Sequence, residues 1–156
     1  MASPSTVPTE DDAPAYDRLW FAIVQARSRM REAMETGRLL EPLGLTERSF
    51  VLLSIACAGR GHAQREIVEE MFIDARQVVH LVDGLEEAGL IERRPHELDR
   101  RKKVIVATPA GLEMQQRAAR LVDGAEAAIL DGLDEAEQAQ LRRLLHRVAP
   151  GHAATD

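Results

Sequence analysis

Residues 74–108 read DARQVVHLVDGLEEAGLIERRPHELDRRKKVIVAT, and this stretch decides the fold. Asp74 is placed to cap a helix, with Gln77 three residues on. That is capping-box-like, although the motif proper pairs Ser or Thr with Glu or Gln. Val78, Val79, Leu81, Val82 and Leu85 carry the helix, and Gly89 is well placed to stop it. Leu90–Arg94 and Lys103–Thr108 are short strand candidates, the second holding β-branched Val104, Ile105 and Val106. The eight residues between them, 95–102, are polar and charged, so the pair reads as a hairpin with a long basic tip.

Upstream, Gln64–Met71 fits a short helix with Ile67, Val68 and Met71 as its apolar stripe. Thr46 is placed to cap a helix running to about Ala58, with Phe50, Val51, Leu53, Ser54 and Ile55 packed tightly and Gly59-Arg60-Gly61 ending it. Leu39–Gly44 reads as a connector. Ala15 to about Gly37 is helical, with Tyr16, Leu19, Trp20, Ile23, Val24, Met30 and Met34 at helical spacing. Downstream, Pro109 suits the first turn of a helix to about Leu130. A last helix follows Asp134, with Leu141, Leu144, Leu145 and Val148 on one stripe. Residues 1–14, with three of the seven prolines, and 150–156 read as disordered tails.

The fold expected is mainly α with a small β-hairpin wing. A winged helix-turn-helix spans 43–108, between helices at 15–40 and 109–149. At 156 residues and 45% hydrophobic, the chain suffices for one domain with its own core. One cysteine, Cys57, excludes an internal disulfide framework and suits a reducing cytoplasm. No apolar run is long enough to span a membrane, and no basic-then-apolar leader begins the chain, so no membrane role is expected. Only 3% aromatic residues leave too few platforms for single-strand base stacking.

The net charge of −6 argues against a polyanion partner, but its distribution argues the other way. Six basic residues lie between 93 and 103, at Arg93, Arg94, Arg100, Arg101, Lys102 and Lys103, opposed locally by Glu97 and Asp99. A capped helix beside a basic hairpin can enter a major groove of double-stranded DNA N-terminus first. Its first turn then exposes Ala75, Arg76 and Gln77, and His80 one turn later. Arginine pairs with guanine and glutamine with adenine. The hairpin tip can reach phosphates or an adjacent minor groove. A solvated helix face is the other reading of Arg76 and Gln77.

The segments LGLTERSFVLLSIACAGRG, IVEEMFIDARQVVHLVDGLEEAGLIERRPHELDRRKKVIVATPAG and LDEAEQAQLRRLL resemble the MarR family of winged-helix transcriptional regulators, over roughly Leu43–Val148. The resemblance implies a homodimeric repressor whose first and last two helices entwine and whose two wings straddle a palindromic operator. It implies that Asp99 positions Arg101, which enters the minor groove, while Arg100 meets phosphate together with Lys102 and Lys103. Two departures reduce positive charge on the recognition helix: His80 stands where the family often has a basic residue, and Gly84 where it has Arg. An imidazole titrates near neutral pH, so a DNA contact by His80 would depend on pH; a neutral, partly buried histidine is the other reading. Gly84 weakens the helix, or admits the close approach of another backbone.

Many members of that family bind a small, often anionic aromatic effector. Trp20, Arg27 and Arg31 are the residues placed to face such a pocket, against the plainer reading of Arg27 as a stem lying on the core and Trp20 as core or dimer interface. Cys57 reads as an inert thiol. The five histidines form no ligand cluster, so no metal or other cofactor is expected, and no motif supports catalysis. Two other classes stand beside the DNA-binding regulator: a winged-helix protein-interaction module without specific DNA binding, and a small-molecule binder or enzyme using an interhelical cavity.

Overall fold

A computed structural model describes residues 18–148, apart from 37, 60, 97 and 98. Both expected tails, Tyr16 and the expected start of the first helix lie outside the described residues. The order is α1 (Leu19–Thr36), a 3-10 turn (Glu41–Leu43), α2 (Glu47–Ala56), α3 (Gln64–Met71), α4 (Ala75–Glu87), β1 (Ile91–Pro95), β2 (Lys103–Ala107), α5 (Pro109–Ile129) and α6 (Glu135–Val148).

Local chemistry places each boundary. The Thr46 hydroxyl accepts from the Ser49 backbone N–H at 3.1 Å, and Ser49 Oγ accepts from the Thr46 N–H at 2.7 Å, closing a capping box on α2. Asp74 Oδ1 accepts from the Gln77 N–H at 3.0 Å and starts α4. Gly89 follows α4 at φ +72°, the left-handed geometry that glycine adopts without steric cost. Asp134 and Glu137 cap α6 reciprocally at 2.9 Å each way.

The core lies where α2, α3, α4 and β1 meet the first half of α5. Leu52, Leu53, Ile67, Val78, Val82 and Ile91 are fully buried there. Each removes about 1.5–3 kcal/mol worth of apolar surface from water. Three expectations need correction. Val51 is exposed and its neighbour Leu52 occupies the core. The connector 39–44 contains the 3-10 turn, and it buries Leu40 just before and Leu45 just after. Thr108 is no strand residue: it caps α5 by accepting from the Gly111 N–H at 3.0 Å.

The hairpin is antiparallel, pairing Ile91 with Ala107 through Pro95 with Lys103. A further bridge joins His62 to Ile105, with backbone bonds of 3.1 and 2.8 Å, so the α2–α3 loop is stitched to the wing. The base of α5 is stitched to the other side. The Thr108 N–H donates to the Leu90 carbonyl at 3.0 Å, and its hydroxyl donates to the Gly89 carbonyl at 2.7 Å. Gly111 sits so close to Leu90 that a Cβ there would meet the carbonyl oxygen at 1.9 Å.

Candidate nucleic-acid interface

Helix α4 divides into two faces. Val78, Val82 and Leu85 are buried and Leu81 is half-buried, which anchors it to α2 and α3. Ala75, Arg76, Gln77 and His80 are all exposed on its N-terminal two turns. The exposure of His80 sets aside its partly buried reading. Gly84 is also exposed, and among the described residues no other element comes within 4 Å of where a Cβ would stand.

The Asp74 cap is one-sided. Gln77 does not reach back to complete a box; its Oε1 instead accepts from Arg48 Nη1 on α2 at 2.7 Å. Sequence reasoning missed Arg48, because no local spacing relates residues 48 and 77.

Beyond the strands, the His96 N–H donates to the Lys102 carbonyl at 2.8 Å and the Lys102 N–H to that of Asp99 at 2.9 Å. Asp99 Oδ1 accepts from the Arg101 backbone N–H at 3.1 Å. Asp99 therefore shapes the tip through the main chain of Arg101. The side chains of Arg100, Arg101, Lys102 and Lys103 are exposed.

The basic run is less free than its sequence suggests. Arg93 Nη2 donates to Asp83 on α4 at 2.5 Å, its Nη1 donates to Glu86, and its backbone N–H donates to Glu86 Oε1 at 3.1 Å. The Asp83 hydrogen bond holds the Arg93 guanidinium above the ordinary arginine range; partial burial opposes it, and Glu86 adds to the rise. Arg94 pairs with Glu92 at 2.5 Å. Carboxylates outside the hairpin tip thus engage two of the six basic residues, leaving the tip four to present the positive field.

Trp20, Arg27 and Arg31 are exposed on α1. A cavity of about 450 Å³ at the wing base is lined by Ala56, Cys57, Arg94, His96, Val104 and Leu112 among others. A second, of about 490 Å³, lies where α1 approaches α2, against Met34, Arg38, Leu40 and Leu45. A third, of about 340 Å³, lies between α1 and the end of α5, against Arg29, Glu32, Ala33, Ala128 and Ile129. None of the three includes Trp20, Arg27 or Arg31 in its lining. Burial pushes the Cys57 thiol up from its ordinary range. Among the described residues no three potential ligands gather for a metal, and no helix is long and apolar enough to cross a membrane.

A family model described as the MarR family matches residues 43–102. The structure of a transcriptional regulator (MarR family) from Rhodococcus sp. RHA1 is 31% identical to this chain, covers 88% of it and 97% of its own length, and superposes with a TM-score of 0.78. The chain belongs to the MarR family. Within it, CouR from Rhodococcus jostii RHA1, crystallised with p-coumaroyl-CoA, is 32% identical over 86% of this chain and 93% of its own, with a TM-score of 0.75. The transcriptional repressor Rv2887 of Mycobacterium tuberculosis is 26% identical over 138 residues, 88% of this chain and 95% of that protein. These likenesses extend from α1 to α6, beyond the winged segment alone. They place this MarR-family chain among transcriptional regulators with a winged helix.

Proposed function

We propose that this MarR-family protein is a homodimeric, cytoplasmic, sequence-specific DNA-binding repressor released by a small effector. The observation that carries the reading is the pairing of two exposed features on one rigid unit. One is the capped end of α4 with Arg76, Gln77 and His80; the other is the wing tip with Arg100, Arg101, Lys102 and Lys103. A helix end of this kind fits the major groove, and an arginine-bearing tip fits a narrow, A·T-rich minor groove. Residues 43–108 are then the DNA-binding unit, and 15–40 and 109–149 the dimerising helices.

Dimerisation is supported by apolar surface that one protomer leaves open. Leu19, Trp20, Ile23 and Val24 on α1 and Leu144, Leu145 and Val148 on α6 are exposed. A soluble monomer rarely leaves so many large apolar side chains open on two helices, and a two-fold dimer would set half-sites about 34 Å apart on DNA. An amphipathic, anionic effector is supported by CouR, which was crystallised with p-coumaroyl-CoA. Trp20, Arg27 and Arg31 remain the proposed effector contacts on α1, where a partner protomer would complete the enclosure.

The test is fluorescence anisotropy with the intergenic DNA upstream of the gene, against scrambled DNA of equal length, at increasing salt. Saturable binding with at least about a hundredfold preference and a steep salt slope is expected. Six phosphate contacts would weaken it on the order of a thousandfold between about 50 and 200 mM salt. Weak, equal binding to every DNA tried, including a random-sequence selection, would overturn the reading.

A further inference from the structure

Arg48 and Gln77 come from different helices, and neither contact partner is predictable from the other's neighbourhood. Arg48 Nη1 nevertheless lies 2.7 Å from Gln77 Oε1, on the exposed end of α4. The chemistry fixes which end of the amide is involved. A guanidinium has only donors, so the atom facing it must be the amide oxygen. The Nε2–H2 group is therefore the end turned away from Arg48.

This orientation matters for reading a base. A glutamine recognises adenine with both ends at once, the oxygen accepting from N6–H and the nitrogen donating to N7. Here the oxygen already accepts a charge-assisted bond, and a second donor on the same polarised oxygen binds more weakly. The Arg48 charge also repels the partial positive charge of an adenine amino group. What Gln77 then offers to the groove is donors only, the two N–H bonds of its Nε2. The base edge that matches donors only is guanine, with acceptors at both O6 and N7.

We infer that Arg48 is a specificity-determining residue that turns Gln77 from an adenine reader into a guanine reader. The inference rests on the DNA-binding reading above and names one base position within it. Arg48 acts there as a positioning residue, with Gln77 as the contact.

The experiment is selection from a random DNA library with the full-length wild type, Arg48→Met, Gln77→Ala and the double variant, alongside thermal melts. Methionine keeps an aliphatic stem on α2 and removes every donor. The wild type is expected to enrich guanine at one position per half-site. Arg48→Met should shift the guanine-to-adenine ratio there by roughly tenfold toward adenine, at the scale of one good bidentate contact, with an unchanged melting temperature. Gln77→Ala should erase the preference at that position, and adding Arg48→Met to it should change nothing more. An Arg48→Met profile identical to that of the wild type overturns the inference while leaving the regulator intact. Failure of the wild type to enrich any sequence overturns both.

Discussion

Arg93 on β1 donates to Asp83 on α4 at 2.5 Å, and the same guanidinium also reaches Glu86 one turn further along. The contact ties α4 to the hairpin, the two parts that the proposed function brings to DNA together. Arg93→Ala is expected to cost about 1–2 kcal/mol in urea unfolding, since it leaves two carboxylates facing each other without their cation. Arg93→Lys should recover only part of this, because an ammonium cannot present a planar fork to two partners. A double cycle with Asp83→Ala should give a coupling of about 0.5 kcal/mol or more. The shift of Arg93 is upward, so its contribution is complete below the unfolded-state value and is lost only as pH rises through the folded one. Titration of Arg93 itself should therefore leave stability flat across neutral pH.

Two glycines of the α4–α5 region, Gly111 and Gly84, should respond oppositely to alanine. At Gly111 the new Cβ would meet the Leu90 carbonyl at 1.9 Å, so Gly111→Ala should cost about 3 kcal/mol or more. At Gly84 nothing lies within 4 Å, so Gly84→Ala should gain about 0.5–1 kcal/mol from helix propensity alone. Chemical denaturation of both variants checks the pair, and a stable Gly111→Ala protein would contradict the packing at Leu90.

Phe72 ends α3 at φ +52° with 92% of its surface exposed. It holds a left-handed conformation that costs a side chain roughly 1–2 kcal/mol and buries almost nothing in return. Phe72→Gly is expected to raise stability by about 1 kcal/mol, read as a higher melting temperature. A loss of stability on that substitution would show that the ring makes a contact worth more than the strain.

Arg76 and Arg101 should separate base reading from groove anchoring. Arg76→Ala is expected to relax preference at one position per half-site by about 1–3 kcal/mol. Arg101→Ala should weaken binding chiefly to sites with A·T-rich flanks. Operator titrations with substituted flanks distinguish the two, and unchanged affinity of Arg101→Ala for a bound operator would remove the wing assignment.

Because burial raises the Cys57 thiol, its thiolate is scarcer in the folded protein than in the unfolded chain at any given pH. Alkylation by iodoacetamide should be slower in native protein than in urea, with the native rate climbing only at more alkaline pH. Proton linkage has the same sign: the group is neutral with respect to stability at low pH and disfavours the folded state as pH rises through the unfolded-state value. Equal rates in buffer and urea would contradict the burial.

Much of this architecture was legible from local signals. Thr46, Asp74 and Pro109 mark helix starts because capping is decided within four residues, and Gly89 marks a stop for the same reason. The hairpin was legible because two β-branched or apolar runs flank a polar tip. What escaped was set through space. Leu40 and Leu45 flank the 3-10 turn and join the core cluster, a consequence of tertiary packing that no periodicity announces. Val51 and Leu52 exchange the roles their shared hydrophobicity assigns them, since only the direction of α2 against the core chooses between neighbours. Arg93 and Arg94 belong to the basic run in sequence, but carboxylates on α4 and β1 engage them in space. Gln77 was a plausible base reader, yet its orientation depended on a residue 29 positions away.

The stitching of Thr108 and Gly111 to Gly89 and Leu90 has a mechanical consequence. The first turn of α5 is welded to the junction of α4 and β1, so it must travel with them as a single rigid body. Any force transmitted along the 21-residue rod of α5 arrives at α4 without slack. A change in spacing between two such bodies would therefore need a flexure beyond Val122, the last residue of α5 packed against the core, and the rod would act as the crank arm that converts it into displacement at the exposed end of α4.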